Sequence, residues 1–170
     1  MIACSALLSC TPVRKIWSNT YQGDLEDAYL TDDDFGCLQA HPKIGHSHFH
    51  NVNGHNAELL RVAQDPKGQE FPVGTVVQLF PGEAMVKRHK GFSDISNDWE
   101  YFILAVHSGK TYIQKRGVEI RNLAGSCNGC HSQAKDYDFV CSEGRGCAKL
   151  PFFAKDLAAR EVKNDTRCTN

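Results

Sequence analysis

From residue 73 to 80 the chain alternates, with Val73, Thr75, Val77 and Leu79 on one side, and Pro72 and Pro81-Gly82 bound the run. A period of two predicts a strand there. Residues 98–107 carry the strongest strand pattern: Trp99, Tyr101, Ile103 and Ala105 alternate with Phe102, Leu104 and Val106. Both faces are apolar, which predicts a central strand covered on both sides. Ser108-Gly109-Lys110 is a hairpin signal into a strand at 111–114, and 118–120 is expected to form one more short strand. Helical patterns fall at 24–30, ended by Asp32-Asp33-Asp34, at 56–63, stopped by Pro66 and Gly68, and at 152–162. Consecutive strands joined by short turns make the sheet antiparallel, with helices flanking it, so the expected class is α+β.

The chain has 170 residues, enough for one core, and residues 23–170 are read as one domain behind an N-terminal segment, 1–22. A formal net charge of −1 offers no basic field for nucleic acid, which is not expected as a partner. Eight cysteines change the picture more. With Cys4 and Cys10 near the N-terminus and Cys127 and Cys130 set aside, Cys37, Cys141, Cys147 and Cys168 remain. An even remainder fits two disulfides and an oxidising compartment, here a bacterial periplasm or outer envelope. Leu7-Leu8-Ser9-Cys10 looks like a lipobox, with Cys10 as the lipidated residue and membrane anchor. No Lys or Arg precedes it, so two readings stand: a longer signal upstream of a misplaced start, or an apolar tail. No later stretch reaches the ~20 apolar residues of a spanning helix, so the rest is expected to be soluble.

The most specific chemistry is Cys127-Asn128-Gly129-Cys130-His131, the C-x-x-C-H attachment pattern of a c-type haem. Two thiols add to the haem vinyl groups as thioethers, and the adjacent His131 ligates the iron. The pattern needs a helical turn to aim three side chains at one ring, so a helix is expected over 127–135. One covalent haem c is the cofactor expected. A thioredoxin-like pair or half a zinc site also shows C-x-x-C. Cys141 and Cys147 would complete the zinc set, but a five-residue gap containing Gly144 and Gly146 suits a local disulfide better.

Further candidates surround that motif. His41, His46, His48, His50 and His55 crowd one segment. On a strand, His46, His48 and His50 share a face, and one of them reaching the sixth iron position, or a second metal, competes with a plain polar surface tract. Met85 is the other axial candidate, against a place in the core. Arg116 and Lys87 are candidates to pair with haem propionates.

Four segments in this order, Phe71-Pro72-Val73-Gly74-Thr75-Val76, Glu83-Ala84-Met85-Val86-Lys87, Asp98-Trp99-Glu100-Tyr101-Phe102 and Cys127-x-x-Cys130-His131 with Asp138-Phe139-Val140 after it, resemble the cytochrome P-460 family and its relative cytochrome c′-beta. The resemblance covers roughly residues 71–139. It implies a twisted antiparallel sheet with flanking helices, a homodimer, and an iron open to a small ligand on the side away from His131. Such a protein binds or redox-converts small nitrogen species such as NO and hydroxylamine, as a haem oxidoreductase or ligand-binding protein, and needs a redox partner protein. An electron-transfer cytochrome with a distal His or Met is the alternative. The family's cross-linking lysine stands five residues after the glycine of its Gly-Thr-x-x-x-Lys stretch; here Leu79 follows Gly74 at that distance. The cross-link is therefore expected to be absent, and the hydroxylamine oxidation that accompanies it loses its support from this position. The family's distal carboxylate falls on Glu83, the candidate catalytic base, against a bland role as a turn residue. Leu79, Phe71, Phe80 and Phe102 are candidates for an apolar distal wall or for ordinary core. Cys141…Cys147-x-x-Leu150-Pro151 and Asp165-x-Arg167-Cys168 also recur in that branch, and with the count of cysteines this implies a Cys37–Cys168 bridge.

Overall fold

A computed structural model describes residues 29–79, 82–123, 125–142, 144–147 and 163–168. Its centre is one antiparallel sheet of six strands in sequence order: β1 (Lys43–Ile44), β2 (Ser47–Asn51), β3 (Thr75–Leu79), β4 (Glu83–Lys87), β5 (Trp99–His107) and β6 (Lys110–Gly117). Helix α1 (Asn56–Gln64) follows β2. A separate hairpin of β7 (Arg121–Asn122) and β8 (Gly125–Ser126) leads into α2 (Cys127–His131), which continues as a 3-10 turn over Ser132–Tyr137. The chain is thus mixed α/β on a six-stranded antiparallel sheet with few helices, compatible with α+β.

Register explains why the alternating strands take these faces. Phe49 pairs with Val77, Val77 with Met85 and Met85 with Tyr101, so one apolar row crosses four strands. That row packs with Leu59, Val62 and Ala63 of α1, and with Phe71, Trp99 and Val140. Val76, Val86, Ala84, Phe102 and Leu104 occupy the other face and pack on Leu30 and Phe35. A slip of one residue would exchange the two sets, so burial on both faces fixes the pairing. As expected for β5, both of its faces are covered.

The Ser108-Gly109 turn has positive φ at both residues, 51° and 73°, the two-residue hairpin geometry that matches strand twist. The strand expected at 118–120 does not form: β6 ends at Gly117, whose φ is 135°, and Ile120 packs against the core instead. The helix expected at 152–162 lies outside the described residues, as does most of that expected at 24–30; Tyr29 and Leu30 have no regular structure. Cys4, Cys10 and the lipobox also lie outside them.

Both expected disulfides are present. Cys37–Cys168 joins Cα atoms 4.7 Å apart, and Cys141–Cys147 closes a short loop. Around the first, Arg167 donates to the Phe35 carbonyl at 2.9 Å and pairs with Asp165 at 2.7 Å. Asp165 in turn accepts from the Leu38 amide at 3.2 Å. This buried cluster fastens residues 35–38 to the end of the chain. Among the described residues no helix is long and apolar enough to cross a membrane.

Candidate functional site

The C-x-x-C-H segment folds as a capped turn. Ser126 accepts from the Gly129 amide at 3.1 Å, which satisfies one of the free donors at the start of α2. Cys127, Cys130 and His131 then line a single cavity of about 1100 Å³, counting the solvent at its mouth. The sheet supplies one wall through Val77 and Leu79 of β3, Glu83 and Met85 of β4, and Tyr101 of β5. The Cys141–Cys147 loop and the β1–β2 turn complete it.

His131 donates Nδ1–H to the Phe139 carbonyl at 2.8 Å. A carbonyl only accepts, so this bond fixes the tautomer and leaves Nε2 as the lone-pair nitrogen. Burial lowers the His131 pKa, with the Phe139 bond opposing it, so the ring is held neutral as a metal ligand requires. The Tyr101 ring lies 5.2 Å from the imidazole, and its hydroxyl donates to Asn128 Oδ1 at 3.3 Å. Burial first, and the Cys127 and Asp138 charges after it, raise the Tyr101 pKa, so its hydroxyl stays protonated.

Cys127 is half-buried and Cys130 exposed, and both are free thiols. Burial, then the charge of Glu83, pushes the Cys127 thiol up. Cys141 and Cys147 are bonded to each other, which removes the two extra thiolates that a zinc reading needs.

Glu83 is exposed at the start of β4, lines the cavity and accepts a hydrogen bond from Asn122 Nδ2. Gly82 makes that placement possible: a Cβ there would collide with the Leu104 carbonyl oxygen, and its own carbonyl accepts from Leu104 N at 2.7 Å. Leu79 is the register partner of Glu83.

Several expectations need correction. His46, His48 and His50 do not share a face, because β2 begins at Ser47 and His46 sits in the turn before it, after Gly45 with φ 61°. His46 lines the cavity. His48 and His50 pair with Gln78 and Val76 on the opposite face of the sheet, and His50 stacks on His41 at 4.1 Å. His55 is exposed beside α1. Phe71 packs edge-on against Trp99 and belongs to core; Phe102 packs against Phe35 and also lines the cavity; Phe80 lies outside the described residues. Lys87 and Arg116 are engaged elsewhere: Lys87 Nζ binds Asp138 at 2.7 Å, and Arg116 Nε binds Glu100 at 2.7 Å. Met85 is buried and also lines the cavity.

Tyr101, Asn122, Asn128 and the Phe139 carbonyl were not singled out by sequence. Alternation placed Tyr101 on the Trp99 face, but which face meets the C-x-x-C-H turn is set by tertiary packing.

Comparison of the chain with protein-family models, with curated proteins and with solved structures finds no match in any of the three. The reading of the site rests on its own residues. These fit a covalent haem: two free thiols and a histidine with its Nδ1 already committed face one cavity with a largely apolar sheet wall.

Proposed function

We propose that this is a mono-haem c-type protein that binds or redox-converts a small nitrogen species such as NO or hydroxylamine. The observation that carries the reading is the His131 Nδ1–Phe139 bond of 2.8 Å beside two free thiols. It is the outer-shell arrangement that orients a ligating histidine and raises its basicity. Cys127 and Cys130 would hold the haem as thioethers and His131 would ligate its iron. When bound, the group supplies an iron centre that takes small ligands and exchanges electrons.

The protein's own residues set the surroundings. Leu79 lines the cavity at the position where the P-460 family carries its cross-linking lysine, so this part of the wall is apolar and offers no amine. Glu83, held by Asn122, is the carboxylate available to take a proton from a protic ligand. The P-460-like fold, the homodimer, the periplasmic setting, anchoring at Cys10 and the redox partner belong to this proposal. The second reading is an electron carrier, favoured by the presence of His46 and Met85 in the cavity wall.

The deciding experiment is a reduced-minus-oxidised spectrum, with and without CO, on protein produced with haem-attachment machinery. A high-spin ferric form and a ferrous form that binds CO are expected. A low-spin spectrum unchanged by CO, becoming high-spin in His46→Ala or Met85→Ala, would establish the electron carrier instead. An apo mass alone would end the haem reading.

A further inference from the structure

The carbonyl that holds His131 belongs to an unusual stretch of backbone. Asp138 and Phe139 both have positive φ, 50° and 62°. A bulky residue such as phenylalanine adopts that region only where its surroundings impose it. Those surroundings converge on Asp138. Its carboxylate accepts from Lys87 Nζ at 2.7 and 2.9 Å, from Asn97 Nδ2 at 2.6 Å and from the Phe71 amide at 2.7 Å. Trp99 Nε1 donates to the Asp138 backbone carbonyl at 2.7 Å. These donors come from β4, from β5, from the turn before β5 and from the segment before β3. Asp138 is 5% exposed and Lys87 2%.

We propose that Asp138 is a positioning residue for His131: its buried hydrogen bonds lock the left-handed Asp138–Phe139 turn, which aims the Phe139 carbonyl at Nδ1. The proposal rests on the reading of His131 as the iron ligand and adds what keeps that ligand in place. It also gives Lys87 a task. The lysine compensates the buried carboxylate, so the sheet and the imidazole are joined through one ion pair and one strained turn. Burial alone would leave His131 free to pair through either nitrogen; the locked carbonyl selects one.

The test is ¹⁵N-histidine NMR on the full-length protein as isolated, comparing it with Asp138→Asn and Asn97→Gly. Asparagine tolerates positive φ as aspartate does, so Asp138→Asn removes the anion and leaves the backbone preference. Glycine at 97, where φ is 50°, deletes a single donor at a half-buried position and keeps the assay available should Asp138→Asn not fold. Solvent exchange of His131 Nδ1–H is expected to rise about 5-fold in Asp138→Asn, the weight of one ordinary hydrogen bond, and less in Asn97→Gly. Exchange equal to that of the parent in the variants that fold, accompanied only by a lower Tm, would reduce Asp138 to a fold-stabilising residue and overturn the proposal. The mass of the same parent sample reports covalent haem separately. A haem-free mass sinks the haem reading, while the exchange rates still decide what Asp138 does.

Discussion

His131 and His48 each donate Nδ1–H to a backbone carbonyl, at 2.8 Å to Phe139 and 3.3 Å to His41, and each keeps Nε2 for another partner. Beyond that the two sites diverge. His131 faces a cavity that two free thiols also line. His48 lies on the opposite face of the sheet, 4% exposed, and its Nε2 has no hydrogen-bond partner among the described residues. Its cross-strand neighbour Gln78 is equally sealed, and neither end of its amide is hydrogen-bonded among the described residues. The orientation of a histidine by a carbonyl is therefore a general packing device. What lies beyond Nε2 decides whether it serves a site.

The sharpest break in this comparison is all-or-none. Under the proposed haem reading, Cys127→Ala with Cys130→Ala is expected to abolish covalent haem in the intact mass, whereas His48→Phe keeps the haem increment. Haem loss in His48→Phe would mean that the opposite face belongs to the site.

The next largest effect concerns what covers His48. Replacing both Cys37 and Cys168 by serine removes a cross-link of sequence separation 131, which is expected to cost up to about 4–5 kcal/mol in the chain-entropy account. Urea unfolding of parent and variant measures it, with haem content unaltered.

Only part of this was legible in the chain. C-x-x-C-H points to its chemistry by three residues at fixed spacing, and the structure brings all three to one cavity. Alternation exposed β3 and β5 because each face has its own apolar set. Segment 43–51 was harder: its histidines are polar on either face, so only pairing with β3 reveals that His48 and His50 point away from His46. Lys87 and Arg116 looked like free cations because Asp138 and Glu100, their partners, are distant in sequence and meet them only through folding. Phe139 stands in one of the segments that carry the resemblance, but its role was not legible, since its contribution is a carbonyl oxygen, which every residue has.

On the cavity side, under the proposed haem reading, Glu83→Ala is expected to leave haem loading intact while slowing any proton-coupled oxidation at the iron by ~10²–10⁴-fold, the usual weight of a general base. Stopped-flow kinetics on the loaded protein checks this, and an unchanged rate would return Glu83 to the role of a turn residue. On the sealed side, Gln78→Met is expected to stabilise the fold by about 1–3 kcal/mol, because it removes buried polar atoms that have no hydrogen-bond partner among the described residues. A destabilised variant would reveal a bound water bridging Gln78 and His48.

The last effect is a pH dependence. Burial, with His41 beside it, depresses the His50 pKa from 6.5 to about 4, opposed by Asp34. The unfolded chain therefore takes up the proton first on acidification. Stability contributed by neutral His50 is present above about pH 6.5, is lost as the pH falls, and the loss is complete below about pH 4. In His50→Gln, unfolding free energies measured from pH 7 to pH 4 should fall less steeply than in the parent.

The bond between Cys37 and Cys168 spans nearly the whole described chain, and so it orders events in time. Synthesis produces Cys37 long before Cys168, and Cys127, Cys130, Cys141 and Cys147 all emerge in between. An oxidant acting on the growing chain meets Cys37 with six wrong partners already on offer, Cys4 and Cys10 before it and these four after it. Native connectivity then depends on late oxidation or on thiol–disulfide exchange, a matter of seconds to hours. Under the haem reading, thioether formation at Cys127 and Cys130 withdraws two of those competitors permanently. Attachment of the cofactor would thereby also proofread the staple.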